Sequence, residues 1–296
     1  MTNSCESLGP RPAGAFRPTR AGGDQARTAA FFDLDKTIIA TSSAYAFGRE
    51  FLYNGLISPA EALQLSLAKA SYMFSGLSSE GMDTTRDQLT AMVTGWSVDE
   101  VRSIARETMH HVVTPSIYAE ARELIRAHRA AGHHVVIVSA SAAVLVDIIA
   151  EELGVEHVIA TELAEEDGCF TGEVLFYCKG QNKAAALERT AAAEDIDLRA
   201  SYAYSDSATD IPMLEKVSHP VAVNPDRQLK RHALAHEWEI RSFKDPVLLL
   251  PAPTAKEIGI SASVLAGTAA VIGAGLWLAQ HPGRPGPPKR GPRCAS

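Results

Sequence analysis

Cysteine and positive charge are both in short supply along these 296 residues. The four cysteines, Cys5, Cys169, Cys178 and Cys294, form neither a CxxC pair nor a zinc-finger spacing. That argues against a disulfide-stapled scaffold and for reduced thiols. A net charge of -7 argues against a nucleic-acid-binding surface. Residues 1–27 are rich in Gly, Pro, Arg and Ser, lack the apolar stretch of a secretion signal, and read as a disordered extension. No internal repeat is present, which sets aside solenoid architectures.

What the chain does have is an apolar fraction of 46%, ordinary for a protein with a sizeable core. Its most informative segment is Phe31-Phe32-Asp33-Leu34-Asp35-Lys36-Thr37. Ala29 to Phe32 predict a buried strand, and side chains two apart leave the same face, so Asp33 and Asp35 are aimed at one place. Ligand sites of open α/β sheets lie at such carboxyl ends.

From Ser43 to about Thr114 the apolar spacing is helical, punctuated by Pro59, Gly76, Gly81 and Gly95. After Pro115 an amphipathic helix through Leu124 and Ile125 ends at Gly132, and His134 to Val138 follow as a strand. Val155 to Thr161 predict another strand, with a hairpin between Glu162 and Phe176 around Gly168 and Gly172. A helix over 181–193 leads to a strand over 201–204 that ends just before Asp206, and 220–224 predict one more strand. The expected fold is α/β, with a parallel sheet.

Residues 246–257 read as a linker. From Ile258 to Ala279 no residue is charged. At about 1.5 Å rise per residue a helix of this length crosses a hydrocarbon core of about 30 Å, which predicts a membrane-spanning or interfacial helix over 258–279. A basic Pro/Gly-rich tail occupies 280–296. The charge rule alone would keep that tail inside and the rest outside. The reduced thiols favour a cytoplasmic domain anchored by the tail.

Four segments in order, FFDLDKT at 31–37, VIVSAS at 136–141, Lys183 in KGQNK, and YSDSATD at 204–210, resemble the motifs of the haloacid dehalogenase-like superfamily. Subfamily IB, with its phosphoserine phosphatases, is the branch they resemble. The resemblance implies a Rossmann-like core over 28–42 and 115–245 with a helical cap inserted at 43–114. It also implies hydrolysis of a small phosphomonoester. Asp33 would be the nucleophile, and Asp35 the acid and base. Lys183 would neutralise the phosphoryl group and Ser139 would bind it, with Ser141 a second choice. Mg²⁺ would be held by Asp33, the Asp35 backbone carbonyl and Asp206, with Asp210 orienting that shell from one helical turn away.

Lys179 lies close to Lys183, but the GxxK spacing from Gly180 favours Lys183. Ser42 stands where phosphoserine phosphatases are expected to carry a glutamate for the substrate ammonium, and Ala140 where they carry glycine. A neutral hydroxyl cannot pair an ammonium, which counts against phosphoserine as substrate. The same residues permit two alternatives: phosphotransfer to an acceptor other than water, and a regulatory module with a phosphorylatable Asp33. The pairs His110-His111 and His133-His134 show no metal-like spacing and are expected at the surface or at helix ends.

Overall fold

The computed structural model describes residues 26–58 and 93–244. The expected N-terminal extension, linker, membrane-spanning or interfacial helix and basic tail lie outside the described residues, as do residues 59–92 of the helical module. Among the described residues no helix is long and apolar enough to cross a membrane.

The sheet has seven strands: β1 (Ala29–Phe32), β2 (His134–Ala142), β3 (His157–Glu166), β4 (Cys169–Phe176), β5 (Tyr202–Ser205), β6 (His219–Val223) and β7 (Glu239–Arg241). Their order is β4-β3-β2-β1-β5-β6-β7. Every pairing is parallel except β3 with β4, which form an antiparallel hairpin. Asp167 and Gly168 turn that hairpin with φ of 50° and 76°. The strand expected over 134–138 runs on through Ala142, so Ser139 lies inside β2 and not beyond its end.

Strand periodicity divides the core into two. Ala30, Phe32, Val135, Ile137, Tyr204, Val221 and Val223 face one side, while Ala29, Phe31, Val136, Val138, Ala203 and Ala222 face the other. Both sides of β1 are buried, which is why its four residues are all apolar. The first side is covered by α1 (Ser43–Tyr53), α2 (Val98–Thr108), α3 (Ala119–Ala130) and α4 (Ala143–Leu153). The second is covered by α5 (Gln181–Ala193), α6 (Ile211–Leu214) and α7 (Arg227–Ala235). Helices α1 and α2 lie between β1 and β2 in the chain, and their buried residues Phe47, Phe51, Val101 and Ile104 join the same cluster as Phe32 and Ile137.

A polar seam crosses the first core. His128 on α3 is buried, with Nε2 2.8 Å from the Tyr204 hydroxyl and Nδ1 2.9 Å from His133 Nδ1. Tyr204 in turn stacks on Phe32 at 4.3 Å between ring centroids. His133, just past the end of α3, is therefore half-buried and hydrogen-bonded, a helix-end and not a surface histidine. Burial first, then His133 and Arg241, lowers His128 to about 4. It sits in the core as a neutral ring.

Candidate active site

The carboxyl ends of β1, β2 and β5 converge with the start of α5. Asp33 follows β1 directly, and its N–H donates to the Tyr204 carbonyl at 2.9 Å, so the sheet pairing is continued one residue beyond the strand. The chain then turns sharply: the N–H groups of Thr37, Ile38 and Ile39 converge on the Leu34 carbonyl, and Lys36 is held at φ 62°. This turn ends the extended segment early and gives the two acids different surroundings. Asp33 is buried; Asp35 is half-buried and takes hydrogen bonds from the Ser43 N–H at 2.8 Å and the Ser141 hydroxyl at 3.3 Å.

Lys183 sits in the first turn of α5, where its side chain is 2% exposed. Its Nζ donates to Asp33 Oδ1 at 2.6 Å and to Asp210 Oδ2 at 2.7 Å. Gly180 before it adopts φ 55°, ψ -125°, a conformation that side-chain-bearing residues rarely take, and this swings α5 toward the site. Burial pulls the ammonium down, but the two carboxylates outweigh it and raise Lys183 above its ordinary value. Lys183 is a fixed cation. Lys179 is lowered by burial and lies close enough to Lys183 and Asp210 to feel both.

Asp206 follows β5 and is buried. Ser207 is extended, and only one 3₁₀ turn, Ala208–Asp210, precedes α6. Asp206 and Asp210 therefore do not share a helical turn, and the Asp210 carboxylate is directed to Lys183 and to the Ser205 hydroxyl, which donates at 2.7 Å. Ser139 is buried, with its hydroxyl accepting from the Ser141 N–H at 3.1 Å, while Ser141 itself reaches Asp35.

Three contributors escaped the sequence reading. Ser43 supplies the N–H on Asp35, Ser205 braces Asp210, and Asp226 ties the Asp206 loop to α7. Asp226 accepts from the N–H groups of Gln228, Leu229 and Ala208, and its own N–H donates to the Asp206 carbonyl at 2.8 Å. An aspartate at a helix start was the one legible signal among these.

Residues 30–215 match the family model described as haloacid dehalogenase-like hydrolase. A Mycobacterium tuberculosis protein named "Probable phosphatase" is 49% identical over 83% of this chain and 88% of its own length. The "Inhibition of morphological differentiation protein" of Streptomyces azureus is 49% identical over 75% of this chain and 81% of its own. "Phosphoserine phosphatase SerB1" of Mycobacterium tuberculosis is 32% identical over 88% of this chain and 86% of its own. The chain belongs to the haloacid dehalogenase-like hydrolase family. Within that family it is an enzyme of phosphatase type, in the phosphoserine-phosphatase-like branch.

Proposed function

We propose that this chain is a Mg²⁺-dependent phosphomonoesterase acting on a small phosphorylated metabolite through an aspartyl-phosphate on Asp33. The observation that carries this reading is the Lys183 ammonium, 2.6 Å from Asp33 and 2.7 Å from Asp210 at the carboxyl edge of the sheet. It leaves a nucleophilic carboxylate beside one fixed cation, as charge stabilisation of a phosphoryl group requires.

The acids outnumber the cations around them. Burial pushes Asp33 up to about 8 against the pull of Lys183, and Asp206 up to about 6 against that of Lys36. A hard divalent cation supplies the missing charge, and the donor set is all oxygen. Asp33, the backbone carbonyl of Asp35 and Asp206 would hold Mg²⁺, which when bound neutralises charge on the transferring group.

Lys183 engages Asp33 Oδ1, so attack on phosphorus is assigned to Oδ2. As the phosphorus–oxygen bond to the leaving group breaks, Asp35 delivers its proton to the departing alkoxide. Burial raises Asp35, opposed by its bonds to Ser43 and Ser141, which favours the protonated form that a general acid needs. In the second half Asp35 takes a proton from water, whose oxygen displaces Asp33 from phosphorus. Ser139 binds a phosphoryl oxygen, and Asp210 positions Lys183. The residues after Tyr53 and up to α2 would complete a helical cap over 43–114, set on a core of 28–42 and 115–245.

The named phosphoserine phosphatase among the relatives supports an amino-acid-like phosphate as the substrate class, but Ser42 offers no charge for an ammonium. Substrates lacking a free amine are accordingly preferred. Purified chain should release phosphate from an aryl phosphate only with Mg²⁺, and Asp33→Asn should abolish release. Unchanged turnover in Asp33→Asn would overturn the mechanism. The Streptomyces azureus relative, named for an effect on differentiation, favours a second reading in which the same pocket serves regulation. No turnover across a broad phosphate panel, with tight ligand binding retained, would select it.

A further inference from the structure

At the opposite edge of the sheet, β2 and β3 each begin with a histidine. Their parallel register places His157 beside Val136, and Val136 shares a face with His134 two residues earlier, so both imidazoles leave the sheet on the side that α5 covers. Glu194 caps the far end of α5 on that side. Its carboxylate reaches both rings: Oε2 is 3.8 Å from His134 Nδ1 and Oε1 is 3.6 Å from His157 Nδ1.

These separations exceed hydrogen-bond length, yet they approach what one ion requires. Ligands at about 2.0–2.1 Å from a tetrahedral zinc stand roughly 3.3–3.4 Å apart. Among the described residues this is the group of three His, Cys, Asp or Glu side chains whose ligand atoms all lie within 4.8 Å of one another. A second observation is independent of that spacing. The Glu194 side chain is 10% exposed, and its buried Oε2 has no hydrogen-bond partner. An orphaned carboxylate oxygen beside two imidazoles is costly unless a cation takes it.

We propose that His134, His157 and Glu194 form a site for one zinc-class divalent metal ion at the amino edge of the sheet, separate from the phosphatase centre. Two nitrogens and one oxygen suit a borderline metal of this class far better than Mg²⁺. Three protein ligands leave a fourth position for water. Arg27 is the cation that opposes an ion here, and its backbone pairs with Asp195 and Asp197 just beyond Glu194, so the loop after α5 is already anchored when the metal arrives. The bound ion would join the starts of two strands to the end of the helix that carries Lys183.

The test uses the full chain, stripped with chelator and then titrated with Co²⁺ in the presence of excess Mg²⁺, which occupies oxygen-rich sites. Wild type should take up Co²⁺ with the visible absorption of a tetrahedral nitrogen and oxygen site, and Zn²⁺ should displace it. The double variant His134→Ala, His157→Ala should lose that spectrum, and Glu194→Gln should weaken binding at least about tenfold. Asp206→Asn should keep it. Circular dichroism confirms that all the variants are folded, and Mg²⁺-dependent phosphate release confirms it for the His134, His157 and Glu194 variants alone. A wild type that takes up no Co²⁺, or a spectrum that survives in the double variant, overturns the proposal. Neither result bears on the phosphatase reading, which rests on Asp33.

Discussion

Lys183 and Asp210 pair at 2.7 Å with neither side chain more than 5% exposed, so the lysine is held by an acid other than the proposed nucleophile. Asp33 takes the other side of the same ammonium. Replacing Lys183 by Met leaves two buried carboxylates facing one another. Turnover should fall by about 10²–10³-fold or more, and urea denaturation should reveal a loss of roughly 3–5 kcal/mol. Wild-type turnover in that variant would remove Lys183 from the mechanism.

Asp35→Asn preserves an oxygen for the Ser43 N–H but cannot deliver a proton. Hydrolysis of alkyl phosphates, whose leaving groups need protonation, should slow by about 10²–10⁴-fold. Aryl phosphates with acidic leaving groups should be affected much less in the first half of the reaction. Comparing burst and steady-state rates for the two substrate types checks this, and equal losses in both bursts would deny Asp35 the role of acid.

Asp33 and Asp206 are both raised above the ordinary carboxylate value of 3.8, to about 8 and about 6. Groups raised in the folded state contribute stability below their unfolded value and lose it as pH climbs through the folded one. Chelator-treated protein should therefore lose the contribution of these two acids between about pH 4 and pH 8. Mg²⁺ favours the ionised forms, so its stabilisation of Tm should be larger near pH 8 than near pH 5. A Mg²⁺ shift that is flat or shrinks with rising pH would contradict the assignment of these acids as ligands.

Tyr204→Phe strips His128 of its hydroxyl partner inside the core while leaving the ring stacked on Phe32. The cost should be about 1–3 kcal/mol in chemical denaturation, with turnover close to wild type. His128 is depressed to about 4, so its contribution is present above the ordinary histidine value and disappears as pH falls toward 4. A variant as stable as wild type at neutral pH would show that the seam contributes nothing.

Much of the site was legible because its acids stand at strand ends, where periodicity locates them: Asp33 after the apolar run at 29–32 and Asp206 after 202–205. Lys183 was singled out by the resemblance of KGQNK to a family motif and by its GxxK spacing from Gly180. The partners of these groups were not. Ser43 acts through its backbone N–H, which any residue could supply, and Ser205 serves Asp210 across a 3₁₀ turn that no periodicity announces. Strand β7 is three residues long and largely exposed, so it lacks the alternation that marks a strand, and the sequence predicts neither it nor α7 beyond 224. His134 and His157 are brought together by strand register, a long-range property absent from local spacing.

The anchor of Asp35 carries a last consequence. Its shorter hydrogen bond comes from the first residue of α1, so the carboxylate of Asp35, the proposed proton donor, is tied to the segment that follows β1 as well as to Ser141 of β2. Tilting α1 away from the sheet would stretch this 2.8 Å bond and withdraw the acid from the leaving group, whereas settling it would restore both. If Asp35 is the proton donor proposed above, its placement would therefore depend on where α1 sits.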